Sequence, residues 1–129
     1  MVVDTSALLA ILQDEPERRR FNEALESAAA RLISVATLVE TSIIIESRFG
    51  AEGLRDLDLL LERAGVEPVP VDLEQARAAR SAWSRFGKGR HAAGLNFGDC
   101  FSYALARVLG EPLLYKGDDF SQTDIRAVS

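Results

Sequence analysis

The sequence predicts an α/β fold, a three-layer α/β/α sandwich around a central, mainly parallel sheet of four to five strands. Three observations predict it. Short apolar runs alternate along the chain with longer stretches of helical spacing. The runs are continuous rather than alternating with polar residues, as expected of strands covered on both faces. Capping residues follow them directly, at Asp4, Ser34 and Asp72.

Val2-Val3 reads as a buried strand, and Asp4-Thr5-Ser6 offers three N-caps for a helix through Ala7 to Leu12. Glu15-Pro16-Glu17 marks a second helix start, with proline in the first turn and acids at the positive end of the dipole. That helix is expected to run to about Ala30. Arg31-Leu32-Ile33 is the second strand, and Ser34 caps a helix from Val35 to about Phe49. Gly50 and Gly53 bracket a break, after which Leu54, Leu57, Leu60 and Leu61 repeat at helical spacing up to Gly65. Val66 to Val71 is a third strand, which Pro68 and Pro70 mark as an edge or an irregular strand. Asp72 caps a helix to about Phe86, and Gly87-Lys88-Gly89 and Gly94 frame a loop. Asn96 caps the helix FGDCFSYALARVLG, closed by Gly110. Pro112 to Tyr115 is a fourth strand, Gly117-Asp118-Asp119 a turn, and Ile125 to Val128 a last short strand.

The 129 residues are 47% apolar and 27% charged, which suits one domain over residues 1–129 with a normal core. No apolar stretch is long enough to span a membrane. The opening Met1-Val2-Val3-Asp4 has neither a basic segment nor a cleavage site, so no signal peptide is expected. A single cysteine, Cys100, excludes an internal disulfide and a thiolate metal cage. A cytoplasmic location follows. The net charge of −5 argues against tight non-specific binding to nucleic acid, but its distribution is uneven. Gln75 to Gly98 holds no acid, only Arg77, Arg80, Arg85, Lys88 and Arg90, with Trp83, Phe86 and His91 among them.

Ligands of parallel sheets bind at the carboxyl ends of the strands. Asp4 follows the first strand, Asp118 and Asp119 the fourth; Glu40 lies in the second turn after the second strand. Asp99 is in the first turn of a helix that leads back from that edge. Each acid also has a plain reading: Asp4 as a helix cap, Asp99 as part of a capping box with Asn96, Asp118 and Asp119 as turn formers. Glu40 is hardest to explain away. Its helical neighbours Ala36, Thr37, Ile43 and Ile44 supply no basic partner, so its ionised form is costly there. Converging carboxylates repel unless a divalent cation relieves them. Oxygen ligands without a cysteine or histidine cluster suit Mg²⁺ or Mn²⁺. Such an ion activates water and offsets the charge on a phosphodiester, and the basic stripe would hold the backbone beside it.

Two rival readings stay open on the residues alone. One is an aspartate-based phosphatase or phospho-acceptor domain, although the haloacid-type pattern wants a second aspartate where Ser6 stands. The other is a non-catalytic RNA-binding module. Bland roles account for the rest: a solvated helix face for the arginines, packing for Trp83 and Phe86, a buried small hydrophobe for Cys100.

The segments MVVDTSALLAIL, SVATLVETSIIIESRFG, FGKGRHAAGLNFGDCFSYALA and EPLLYKGDDFSQTDI together cover nearly the whole chain. In them the sequence resembles the PIN-domain ribonucleases, and the VapC toxins of bacterial toxin–antitoxin pairs in particular. The resemblance implies a PIN-like fold and a Mg²⁺-dependent endoribonuclease, with Mn²⁺ as a substitute, that cleaves tRNA, rRNA or mRNA and stops translation. It places the catalytic, metal-binding acids at Asp4, Glu40, Asp99 and Asp119, with Asp118 one place earlier and able to share the task. Thr5, Ser6, Arg85, Lys88 and Arg90 are the expected substrate contacts. It further implies a homodimer held inactive by a VapB-type antitoxin. The segments Leu8 to Leu25 and Leu54 to Leu61 are the expected antitoxin groove.

Overall fold

The structure, a computed structural model, describes residues 1–128. Four parallel strands form the sheet: β1 (Val2–Val3), β2 (Leu32–Ser34), β3 (Glu67–Val69) and β4 (Leu113–Leu114), in the order β3-β2-β1-β4. Val2 pairs with Leu32 on one side and Leu113 on the other. The helices are α1 (Thr5–Leu12), α2 (Arg18–Ser27), α3 (Val35–Ala64), α4 (Leu73–Phe86) and α5 (Phe97–Leu109).

Strands this short work because alternate residues feed opposite layers. Val3, Ile33 and Leu114 pack with Leu8, Ile11, Phe21, Leu25 and Leu57 from α1, α2 and α3. Their neighbours Val2, Leu32 and Leu113 pack with Ala79, Ala82, Phe86, Tyr103 and Leu105 from α4 and α5. Both strand faces are therefore buried, as the unbroken apolar runs predict. β3 is the edge, with Glu67 and Pro68 exposed.

The caps fall where the sequence places them. Asp4, Ser34, Asp72 and Asn96 each accept a backbone N–H of the first turn that follows. Gly65 and Gly110 close α3 and α5. Several boundaries differ. α2 begins at Arg18, past Pro16, and ends at Ser27 rather than Ala30. β3 runs only from Glu67 to Val69, shorter than the expected Val66 to Val71. The break expected at Gly50 and Gly53 is a kink within α3: Gly50 alone leaves helical geometry (φ 67°, ψ −156°). Gly53 stays helical, packed against Phe49 and Ile45 too closely for a Cβ. The last expected strand is a single bridge, Ala127 to Leu113.

Leu57 anchors the second half of α3 in the core and is fully buried. Leu57→Ala should cost about 3 kcal/mol of folding free energy, read from the shift in urea midpoint at constant slope.

Candidate active site at the carboxyl edge of the sheet

All four strands point their carboxyl ends the same way, so β1 and β4 deliver Asp4 and the Lys116–Asp119 segment to one edge. The first turns of α3 and α5 rise from that edge. Asp4 is only 3% exposed. Its Oδ2 accepts hydrogen bonds from the Ser6 amide (3.0 Å) and hydroxyl (2.7 Å), and its Oδ1 one from the Ser102 hydroxyl (2.6 Å). Capping and site geometry are thus the same bonds. Ser6 Oγ in turn accepts the Lys116 amide at 3.0 Å, tying the end of β1 to the end of β4.

Glu40 accepts a hydrogen bond from Thr5 Oγ1 at 2.7 Å. Its carboxylate lies against the first turn of α5, where a Cβ on Gly98 would sit 1.9 Å from Oε2. A side chain at position 98 would push the Glu40 carboxylate out of this place. Burial pushes the Glu40 carboxyl upward, and the Asp4 charge adds to this against the Thr5 hydrogen bond. Asp99 completes the capping box: it accepts the Asn96 amide at 3.0 Å, while its own amide donates to Asn96 at 2.8 Å. Its carboxyl is pushed up to about 7, first by burial and then by the charges of Asp4, Asp119 and Glu40, against the Asn96 bond. No lysine or arginine offsets these effects at either acid.

The four acids are therefore electrostatic neighbours. Of the two candidates in the turn, Asp119 acts on Asp99, whereas Asp118 acts on Tyr115; both are exposed. Among the described residues, no group of three or more His, Cys, Asp or Glu side chains is arranged to hold a metal ion as it stands. Thr5 donates to Glu40, Ser6 and Ser102 to Asp4, and the Asn96 amide to Asp99. Cys100 offers no soft ligand. Burial keeps its thiol protonated, up at about 11, and it donates to the Asn96 carbonyl.

Thr5 donates to Glu40 and the Ser6 hydroxyl to Asp4. Arg85 is also engaged, bonded to Asp124 (3.2 Å) and stacked on Phe86. Asp124 accepts as well from Tyr103 (2.6 Å) and Arg107 (3.1 Å), which fixes the chain just beyond Asp119. Lys88 and Arg90 are exposed and, among the described residues, have no carboxylate partner. His91 accepts the Ala93 amide and caps its own loop. Lys116 is bound by Glu15 (2.9 Å) and Glu17 (3.3 Å), so it does not neutralise the acids. In the expected antitoxin groove, Leu8, Leu25, Leu57 and Leu61 are core, which leaves those four unable to line it. Sequence reasoning missed Gly98, Thr37, Thr41 and Ser102. A glycine in a helical first turn, beside an acid, was the available signal for Gly98.

Residues 1–126 match the family model described as PIN domain. The chain belongs to the PIN-domain family, among its VapC ribonucleases. It is 57% identical over 129 residues to ribonuclease VapC30 of Mycobacterium tuberculosis, covering 100% of this chain and 98% of that protein. It is 59% identical over 128 residues to ribonuclease VapC of Mycolicibacterium smegmatis, covering 99% of each. The fold resembles that of Mycobacterium tuberculosis VapC20, titled a sarcin-ricin loop cleaving toxin. That match has a TM-score of 0.78 at 20% identity and covers 98% of this chain and 97% of the other. A toxin-antitoxin complex from Klebsiella pneumoniae gives a TM-score of 0.70 at 17% identity, covering 95% and 92%.

The raised Asp99 carboxyl makes stability depend on pH. Its ordinary value is 3.8 and its folded value about 7, so the folded chain binds the extra proton. The resulting stability is full below pH 3.8 and is lost as pH rises through 7. Without divalent cation, the melting temperature should fall as pH rises from about 3.8 to about 7 and level off above that. In Asp99→Asn the fall should be shallower.

Proposed function

We propose that this chain is the endoribonuclease toxin of a toxin–antitoxin pair, one PIN domain over residues 1–129, acting in the cytoplasm with Mg²⁺ or Mn²⁺. The observation that carries this reading is that Asp4 after β1, Glu40 on α3 and Asp119 in the turn after β4 all act electrostatically on Asp99 of α5. Burial first, and then the charges of Asp4, Asp119 and Glu40, push Asp99 up to about 7. The donor set fits a hard divalent cation: it is all oxygen, with the nearby thiol protonated and the only histidine occupied in its own loop. Asp4, Asp99, Glu40 and Asp119 would hold the ion; Asp118, whose charge acts on Tyr115 and not on Asp99, is the weaker candidate for the fourth acid. When bound, such an ion activates water and offsets charge on the phosphodiester.

The chain's own residues supply the rest. Ser6 and Ser102 fix the plane of the Asp4 carboxylate, and Thr5 fixes Glu40. Thr5 and Ser6 therefore act on substrate through the acids they hold. Lys88 and Arg90, exposed on the loop after α4, are offered to the RNA backbone; Arg85 steadies the base of that loop through Asp124. The names of the relatives support ribonuclease chemistry, and the two fold relatives, a toxin and a toxin-antitoxin complex, support an antitoxin partner of VapB type.

A homodimer belongs to the same reading. Phe97, 79% exposed, lines a groove of about 650 Å³ with Trp83, Phe101 and Cys100, and Ile43 and Val39 of α3 are exposed as well. An apolar surface of this kind on a domain that must stay dispersed suits a second copy. No helix among the described residues is long and apolar enough to cross a membrane. The phosphatase alternative is disfavoured, since Ser6 stands where a second aspartate is wanted and its hydroxyl is committed to Asp4.

Asp4→Asn and Asp99→Asn should each lower the rate of RNA cleavage roughly 1,000-fold or more while leaving a folded protein by circular dichroism. Chelation should abolish wild-type cleavage, and added Mg²⁺ restore it. Cleavage by either variant at the wild-type rate would sink the assignment. RNA retained without any turnover in Mg²⁺ would mark a binding module instead.

A further inference from the structure

Asp4 and Glu40 sit on different elements, yet hydroxyls reach both from the same two helices. Ser102 lies one turn beyond Asp99 on α5, and its Oγ donates to Asp4 Oδ1 at 2.6 Å. Thr37 lies one turn before Glu40 on α3, with its Oγ1 3.1 Å from Ser102 Oγ. A carboxylate only accepts, so the one hydroxyl hydrogen of Ser102 is committed to Asp4. Thr37 is then the donor to Ser102. Thr41, one residue past Glu40, stands 2.8 Å from Thr5 Oγ1, which itself donates to Glu40. Thr41 Oγ1 also lies 2.9 Å from the Thr37 carbonyl, and its single hydrogen serves either that carbonyl or Thr5 Oγ1 at any one time.

Ser102, Thr37 and Thr41 are all 0% exposed. A buried hydroxyl is costly unless bonded, and alanine or valine would fill these places without that cost. The three polar side chains form a layer where α3 meets α5, above the apolar core. With Oδ2 held by Ser6 and Oδ1 by Ser102, the Asp4 carboxylate has little freedom to turn. The same α5 turn carries Asp99, and the same α3 turns carry Glu40. The hydroxyl layer thus sets the spacing of the acids by joining the backbones that bear them.

We propose that Ser102 is a positioning residue, which with Thr37 and Thr41 holds the Asp4 carboxylate in place relative to Glu40 and so sets the affinity of the site for a divalent cation. This rests on the reading of the acids as cation ligands. Groups that orient a ligand without touching the ion typically change metal affinity by about 10- to 100-fold when removed.

The test is calorimetric titration of the purified full chain with Mn²⁺ alone. Ser102→Ala should weaken Mn²⁺ binding about ten-fold. Thr37→Val keeps the side-chain shape and leaves the Ser102–Asp4 bond in place, so it should weaken binding by a smaller factor in the same direction. Leu57→Ala, remote from the site, should lower the melting temperature and leave Mn²⁺ affinity unchanged. Wild-type affinity in Ser102→Ala would overturn the proposal, as would an equal loss in Leu57→Ala, which would reduce the effect to lost stability. If Ser102→Ala does not fold, unchanged affinity in Thr37→Val overturns it. Asp4→Asn separates the two levels. Undiminished Mn²⁺ binding there defeats the cation reading itself, whereas its loss alongside wild-type affinity in Ser102→Ala defeats the positioning role alone.

Discussion

Asp4 is a carboxylate with almost no access to water, placed at the end of a two-residue strand in the centre of the sheet. Such a charge is tolerable only if donors from the protein replace its hydration. Three do so: the Ser6 amide, the Ser6 hydroxyl and the Ser102 hydroxyl. Each comes with a constraint. Ser6 requires α1 to start immediately after β1. Ser6 Oγ also takes the Lys116 amide, which fixes where β4 ends. Ser102 requires α5 to pack with one particular turn against the sheet edge. The environment of one buried carboxylate thereby fixes three elements around it.

The other acids are held under the same constraint but with fewer donors. Glu40 has Thr5, and Asp99 has the Asn96 amide. Burial and mutual repulsion outweigh these bonds, so both carboxyls are raised above their ordinary range. Lys116 does not help, because it is paired with Glu15 and Glu17. Arginines gather instead at Asp124, where they serve to fix the chain leaving the site. The fold keeps cations of its own away from the acids. A site left in that condition has a standing attraction for an external cation.

The fold was largely legible in the chain. Continuous apolar runs fixed the parallel, doubly covered sheet, because a strand buried on both faces has no place for polar alternation. The caps at Asp4, Ser34, Asp72 and Asn96 were legible because a side chain bonding the next turn is a local event. Boundaries were less so. Whether α2 reaches Ala30, or Ile125 to Val128 pairs as more than one bridge, depends on what packs beside those residues. The kink at Gly50 was visible as a glycine, but the continuation of α3 through Gly53 depended on Ile45 and Phe49 lying across it.

The candidate site divides in the same way. By itself the sequence determined the order of the strands and helices and the residue types at their ends. From these came Asp4, Glu40, Asp99 and the Asp118-Asp119 pair as edge acids, since strand direction alone puts them there. Tertiary structure decided which of the paired aspartates acts on Asp99, that Arg85 is spent on Asp124, and that Gly98 makes room for Glu40. It alone brought Ser102 to Asp4 across 98 residues of chain. The physical reason is range: capping and periodicity act within a few residues, whereas a hydrogen bond between α5 and the end of β1 exists only once both have packed on the sheet.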